Sequence, residues 1–578
     1  MRASPVAESV VRPWARRFAL DRAWAAVLAL AALALAFDLA VIQAFPPALD
    51  RGQTAVLWPL IANVAHGNGY VVCNTLYFPN CASTNQVTAM YEPLPILVFA
   101  GLAAVTHDSL WPIAVLQALV SAGVLVGVFL LTRHLAGPRP ALLAAAIWTV
   151  YLPALRLVPQ VAADLLASLW LTWGVVALAY AWRTDRRLGW VMAGACLGLG
   201  TLSRSAVLVV ASAVVVGLLV RPPARGQNVS WRVRRAVLLV AVCGLVQLPW
   251  VLRNQVALGR PVVGSTLVGY NLFRGAHALT TPEYVRWVNN IEVLEAIRDL
   301  LARRPDLAGT ENEAQLDAVY RQEALATIAE HPLRYIVLSA DRFLMLWFDW
   351  RVSVTDPGPR LLGPMEYLSP LQQLLLLAAA LIGVLATPVR KSSPLVLAVL
   401  VYCLSYMAVN AQQRYVVPVM PLVIALGGVG CAHVWQLVWA AATRQAAPRL
   451  AADAGWVLLV AGVRRLERET YALYLAIKDR RTPWYAKGMA IVGLVFGLGP
   501  VPTPKSLPAL DRFIDVAPIF LGLFLARGLV PAAGLVAYRV EASEDLSRPR
   551  NGLIIASVVA GWVLLAGLAA ALLIWDPV

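Results

Sequence analysis

AWAAVLALAALALAFDLAVIQAF, Ala23 to Phe45, is the stretch that decides the fold. It is longer than the apolar core of a signal peptide, follows Arg12, Arg16, Arg17 and Arg22, and carries no convincing small-residue cleavage site. It therefore reads as a retained membrane-spanning helix. About 20 apolar residues are needed to cross the hydrocarbon core, and runs of that kind recur along the chain. Its 578 residues are 60% hydrophobic and 14% charged, with a mean hydropathy of +0.69, whereas charged residues run at roughly 25% in soluble domains. Bilayer lipid is thus an expected partner and the solvent of most of the chain. The net charge of +16 comes from 48 Lys plus Arg against 32 Asp plus Glu. Those basic residues cluster in short segments between apolar runs, which is the positive-inside pattern, and no nucleic-acid partner is expected.

The Lys and Arg at the ends of each apolar run set its orientation. The cytoplasmic amino terminus, 1–22, precedes the first crossing, and the loop 46–92 that follows has almost no Lys or Arg, which makes it extracytoplasmic. Residues 93–106 are apolar but short, as expected of a half-inserted helix. Further crossings are expected at 110–132, 141–158, 164–182, in two helices meeting near Arg204, and at 236–252, 368–387, 394–409 and 415–441. A second large outer loop, 254–367, includes a helical stretch from Asn312 to Phe348, of which Leu333–Phe348 is apolar enough to lie on the membrane surface. The expected fold class is an all-α polytopic membrane protein: a module at 23–445 with about ten core transmembrane helices and two large extracytoplasmic loops. A more polar helical module at 452–545, cytoplasmic or membrane-associated, and a final transmembrane helix within 551–576 complete it.

Ionisable residues near the ends of such helices mark a cavity, a partner or a helix end in water. Three carboxylates fall on the expected outer side: Asp50 after the first helix, Glu92 before the half-helix, and Asp164 at the start of the 164–182 crossing. Arg156, Arg204, Arg253, Arg274 and Arg414 fall there too, and suit an anionic headgroup. The plainer alternatives are that Asp164 caps its helix and that Arg253 and Arg414 snorkel to lipid. Of the six cysteines, only Cys73 and Cys81 share a polar loop; outside the cytoplasm they can pair as a disulfide, the alternative being two free thiols. No phosphate-binding Gly-rich loop, Cys-x-x-Cys pair, His-Glu-x-x-His or nucleophile elbow occurs. Transport is the rival class, because helix-end arginines and acids also suit a substrate pathway; two large loops inserted between helices suit an enzyme capping a membrane cavity.

Several stretches resemble one family. VTAMYEPLP (Val87–Pro95) is similar to its PTAxxPPLYP motif and follows HGNGY (His66–Tyr70), which resembles EGRGF. GLGTLSRS (Gly198–Ser205) resembles GLATLTRP. LPWVLRN (Leu248–Asn254) with LGRPVVGSTLVGYNLFRGA (Leu258–Ala276) resembles the signature that opens the family's large outer loop, and QRYVVPVMPL (Gln413–Leu422) resembles its last core motif. Residues 20 to about 440 thus look like the bacterial protein-O-mannosyltransferase-like glycosyltransferases, family 39, of the GT-C fold. The resemblance implies a polyprenyl-phosphate sugar donor and transfer, with inversion, to a hydroxyl acceptor outside the cytoplasm of a bacterial inner membrane. It implies catalytic acids among Asp50, Glu92 and Asp164, donor-phosphate contacts from Arg156, Arg204, Arg253 and Arg414, and acceptor-loop candidates Tyr270, Asn271, Arg274 and His277. No cofactor is certain, and a divalent metal is left open because related enzymes differ in its use. At Gln53–Val56, where the family usually has an acid, this chain has none; either the base lies at Asp50 or Glu92, or the chain is a noncatalytic relative. ETYALYLAIKDRRTPWYAKGMAIV (Glu469–Val492) resembles a second family, the YkvA-type domain of unknown function, although GPVPTPKSLPALDRFID (Gly499–Asp515) keeps only part of its acidic motif.

Overall fold

A computed structural model describes residues 6–50, 52–73, 85–220, 228–280, 290–304, 307, 312–348 and 368–443. The module expected at 452–545, the final crossing at 551–576, and Cys81 lie outside the described residues. The chain divides into two units, one formed by Met1–Pro388 with Pro394–His433 and the other by Val389–Ser393 with Val434–Val578; the site belongs to the first.

That unit is an all-α polytopic membrane fold. Among the described residues six helices are long and apolar enough to cross a bilayer: Ala23–Ala44, Trp111–Ala136, Asp164–Thr184, Val229–Leu258, Ser369–Ala386 and Gln413–Leu437. The first belongs to α1 (Val6–Ala44) and the second is α4 (Trp111–Ala136). Three shorter apolar stretches are also helical among the described residues: α3 (Pro93–Val105), between the first two crossings, α9 (Ala206–Val220), between the third and fourth, and Lys391–Met407, between the last two. Helix α3 has Pro at its first positions, where a missing N–H costs nothing, and Glu92 in extended conformation before it (φ −63°, ψ 140°). Its 13 residues extend about 20 Å, short of the roughly 30 Å of hydrocarbon.

The run expected as one helix over 141–158 is broken instead. α5 (Pro138–Thr149) stops, and the six-residue α6 (Leu152–Leu157) restarts with Pro153 in its first turn; that proline cannot donate into a continuing helix. The crossing α7 (Asp164–Thr184) follows, then α8 (Arg187–Ser203). α8 packs closely on α10 (Val229–Leu258): a methyl group at Gly194 or Gly198 would meet Leu239 O at 2.9 Å or Cys243 O at 3.1 Å. Between α8 and α9 the backbone at Arg204 is extended (φ −154°, ψ 117°). That break delivers Arg204 and Ser205 to the end of the bundle.

The loop expected over 46–92 contains structure of its own. α2 (Gly52–Ala65) occupies part of it, and β1 (Val71–Val72) pairs antiparallel with β2 (Gln86–Val87), Val71 opposite Val87. Cys73, just after β1, is disulfide-bonded, whereas Cys196, Cys243, Cys403 and Cys431 are free.

In the second long segment, α11 (Leu267–His277), α12 (Asn290–Arg303) and α13 (Glu313–Glu330) surround a small core of Tyr270, Val293, Ile297, Leu316 and Tyr320. Gly269 permits the closest approach, since a Cβ there would stand 2.0 Å from Asp317 O. The stretch expected as helical from Asn312 to Phe348 divides into α13, capped by the Asn312 side chain on Ala314 N and Gln315 N, and α14 (Pro332–Phe348). The division falls at His331–Pro332, because the residue before proline avoids helical geometry. α15 (Ser369–Ala386), α16 (Val389–Met407), a 3-10 helix (Gln413–Val419) and α17 (Met420–Thr443) complete the order.

Candidate functional site

Asp164 is the first residue of α7 and is 1% exposed. It does not cap that helix; the carboxylate turns instead to Arg204. Arg204 Nε donates to Asp164 Oδ1 at 2.9 Å, and Nη2 donates to the same oxygen. Oδ2 is buried without a hydrogen-bond partner among the described residues. The Arg204 guanidinium also lies over the Tyr415 ring at 5.0 Å, and Arg414 lies over the same ring at 5.0 Å. Tyr406 stacks on Tyr415 with centroids 4.6 Å apart. Arg414 donates through Nε to Gln412 Oε1 at 2.8 Å, while its Nη1 is buried and unpartnered. Two cations thus share one aromatic ring, an arrangement that becomes favourable when an anion lies between or beside them.

Glu92 reaches the same corner from the start of α3. Its Oε1 accepts from Ser205 N at 2.9 Å, from Ser205 Oγ at 2.6 Å and from Ser265 Oγ at 3.4 Å. All of its protein hydrogen bonds among the described residues fall on that one oxygen. The structure therefore brings Glu92, Asp164, Arg204 and Arg414 together through the adjacent pair Arg204–Ser205 and through Tyr415. Tyr91 lies beside them: burial pushes its phenol above the ordinary tyrosine range, and Arg414 partly offsets this. Burial raises the Tyr70 phenol as well, with Glu92 adding to the rise. Tyr70 serves as a neutral donor, to Tyr91 O at 2.8 Å.

Arg253 does not snorkel to lipid. It donates to Thr88 O at 2.7 Å, Tyr70 O at 3.1 Å and Asn254 Oδ1 at 2.9 Å, with its guanidinium over Tyr70 and Trp250. It holds the β1–β2 hairpin in place one layer behind Glu92. Arg156 is half-buried in the last turn of α6. Its carbonyl accepts from Gln160 Nε2 at 2.9 Å, and Gln160 Oε1 accepts from Gln53 N at 3.0 Å. Thr54 Oγ1 accepts from Val161 N at 3.1 Å. The acid-free Gln53–Val56 segment is therefore tied to the residues leading into Asp164. Asp50, in the turn before α2, is exposed and has no hydrogen bond or ion pair to Glu92 or Asp164.

Of the four acceptor-loop candidates, Tyr270 and Arg274 are buried while Asn271 and His277 are half-buried. The Tyr270 ring belongs to the small core under α13, and its N–H donates to Asp317 Oδ1 at 3.1 Å. Among the described residues no three His, Cys, Asp or Glu side chains gather as a metal cradle. Asp164 commits Oδ1 to Arg204, and Glu92 commits Oε1 to the two serines.

Residues passed over by sequence reasoning include Ser205 and Ser265, which hold Glu92; Tyr415, which lies against two arginines; and Glu313, which is fully buried at the start of α13. Asp38 is another: it is 2% exposed within the first crossing, and its Oδ2 is buried with no hydrogen-bond partner among the described residues. Asp38 did have a visible signal, a lone acid inside an apolar run.

Helices that cross a bilayer and gather acids, arginines and tyrosines at one end define a membrane protein with a polar, largely buried site. More particularly, residues 92–252 match the family described as dolichyl-phosphate-mannose-protein mannosyltransferase, so this span is similar to a glycosyltransferase-type enzyme. The span contains Glu92, Asp164 and Arg204, and ends just before Arg253 and well before Glu313 and Arg414. No curated protein matches the chain. Among solved structures the chain is similar to the archaeal oligosaccharyltransferase AglB from Archaeoglobus fulgidus in complex with an inhibitory peptide and a dolichol-phosphate: 13% identity, TM-score 0.43, 83% of this chain and 61% of that one. It is also similar to the Archaeoglobus fulgidus oligosaccharyltransferase in the apo form, at 14% identity and TM-score 0.42, again covering 83% of this chain and 61% of that one. The chain thus spans less than two thirds of the length of either structure.

Proposed function

We propose that the chain is an inverting glycosyltransferase that moves a sugar from a polyprenyl-phosphate donor to a hydroxyl acceptor on the extracytoplasmic side of a bacterial cytoplasmic membrane. The observation that carries this reading is the convergence of Glu92 with Arg204 and Arg414 at one end of the bundle, two of the three within the glycosyltransferase-like span.

Glu92 is the base. Oε1 is anchored by two serines, and Oε2 receives the acceptor hydroxyl proton as the acceptor oxygen bonds to the anomeric carbon. The bond from that carbon to the phosphate oxygen breaks, and its electron pair leaves with the polyprenyl phosphate. Arg204 and Arg414 stabilise the charge on that leaving group, with the unpartnered Arg414 Nη1 as a ready donor. Asp164 fixes the Arg204 guanidinium through its single engaged oxygen.

Purified protein given labelled polyprenyl-phosphate hexoses or pentoses, with candidate glycan, lipid and protein acceptors, should release polyprenyl phosphate and form a glycosidic product. Uptake of the sugar into proteoliposomes without a new glycosidic bond would replace this reading with a transporter. One observation favours a second reading, a noncatalytic relative that binds lipid-linked glycans: no carboxylate stands at Gln53–Val56. That reading requires donor binding without product from the wild type.

A further inference from the structure

Glu313 lies outside the acid–arginine corner, at the first position of α13, yet its carboxylate is 0% exposed. A buried acid needs compensating donors, and this one has them in an informative arrangement. Oε2 accepts from Thr88 Oγ1 at 2.7 Å, across 225 positions of sequence. Oε1 accepts from Ala89 N at 2.8 Å and from the Thr266 hydroxyl. Thr88 Oγ1 in turn accepts from Met90 N at 2.9 Å, and Thr266 N donates to Ala89 O at 3.0 Å. Arg253, which interacts electrostatically with Glu313, closes the other side by donating to Thr88 O.

The donors lie on two segments that lead to Glu92. Thr88 and Ala89 begin the short segment that ends in Glu92 itself, and Thr266 adjoins Ser265, whose hydroxyl approaches Glu92 Oε1. One carboxylate therefore clamps both the segment that carries the acid and the segment that carries one of its hydroxyl partners. Helix α13, packed on α11 around Tyr270 and Tyr320, carries the clamp.

We propose that Glu313 is a positioning residue for Glu92: it couples the seating of the start of α13 against Thr88, Ala89 and Thr266 to the placement of the acid. This rests on the reading of Glu92 as the base. A displacement of about 1 Å at a reacting group costs on the order of 10²-fold in rate, which sets the scale of the effect.

The test measures turnover per folded molecule in Glu313→Gln, Glu313→Ala, Thr266→Val, Glu92→Gln and the double variant Glu92→Gln/Glu313→Gln, in the full chain. Glu313→Gln keeps the volume but must turn an amide N–H toward a hydroxyl that now donates. Its kcat should fall about tenfold, and that of Glu313→Ala about a hundredfold, with the donor KM changed less than about twofold. Thr266→Val, which spares the acid and guards against misfolding of the Glu313 variants, should lose roughly three- to tenfold. Because Glu313 acts through Glu92, the double variant should be no slower than Glu92→Gln alone. Wild-type kcat in Glu313→Gln and Thr266→Val, or a further multiplicative loss in the double variant, overturns the proposal while leaving Glu92 as the base. Wild-type turnover in Glu92→Gln overturns both.

Discussion

Two acids meet at one end of the bundle and are held in opposite ways. Asp164 is engaged by a cation: two N–H groups of Arg204 share its Oδ1, and Oδ2 is buried without a partner. Glu92 is engaged by neutral groups, Ser205 N, Ser205 Oγ and Ser265 Oγ, all on Oε1, and it is only half-buried. A carboxylate locked to a guanidinium in the interior is suited to orienting that guanidinium. One tethered by hydroxyls through a single oxygen keeps the other for a substrate hydroxyl. Under the proposed glycosyltransferase reading, the contrast gives proton removal to Glu92 and placement of the Arg204 cation to Asp164. The largest effect should follow from Glu92→Gln, which keeps the shape and removes the base: kcat should fall by about 10²–10⁴-fold, measured as glycosidic product formed at saturating donor. Loss below tenfold breaks the contrast at its first term.

Next in size is Asp164→Asn. The amide can still accept from Arg204, but the buried pairing of charges is gone, and removing one partner of such a pair destabilises by roughly 3 kcal/mol. Both thermal stability and kcat should drop, kcat by about 10²-fold, comparable with the removal of one preorganised donor in an acyl-transfer site. The signature that separates the two acids is donor affinity. Asp164→Asn should weaken binding of a polyprenyl-phosphate sugar through the misplaced Arg204, whereas Glu92→Gln should bind it as the wild type does. Equal binding losses in the two variants would erase the distinction.

Ser205→Ala sharpens the Glu92 half. It removes the 2.6 Å hydroxyl bond and spares the backbone N–H at 2.9 Å. A hydrogen bond to a charged group contributes about 1.5–3 kcal/mol, so kcat should fall about tenfold. Ser265→Ala, at 3.4 Å, should fall less than about threefold, because that contact lies beyond good hydrogen-bond length. A larger loss from Ser265→Ala than from Ser205→Ala would mean that Glu92 is held differently during turnover.

These two regions differ also in how far the sequence disclosed them. The crossings, the short α3 after Glu92 and the break at Arg204 were legible because each depends on local features: length of an apolar run, prolines at Pro93 and Pro95, an arginine between two apolar stretches. Asp164 and Arg204 stood out as ionisable residues at helix ends, although their partnership across 40 positions did not. The break within 141–158 has a local signal in Pro153, and α2 has one in the apolar run TAVLWPLIANVA. The support of Glu92 had no local signature. Ser205 and Ser265 are ordinary residue types, and Glu313 beside Asn312 reads as an acid in the first turn of a capped helix. Only the fold brings it to Thr88, because partners hundreds of residues apart are chosen by packing and not by spacing.

The smallest effect should come from Asp50→Asn. By sequence alone both Asp50 and Glu92 are candidates for the base, Asp50 because it lies just before the acid-free Gln53–Val56 segment. That segment is fixed in register: Gln53 N is bound to Gln160 Oε1 and Thr54 Oγ1 to Val161 N, which joins the start of α2 to the residues before Asp164. Asp50 itself is exposed in a turn, where substitutions usually change stability by no more than about 0.5 kcal/mol. Turnover of Asp50→Asn should therefore stay within about twofold of wild type at every donor concentration. Abolished turnover with unchanged donor binding would instead show that α2 slips its register during the reaction, making Asp50 the base and reducing Glu92 to a ligand of two serines.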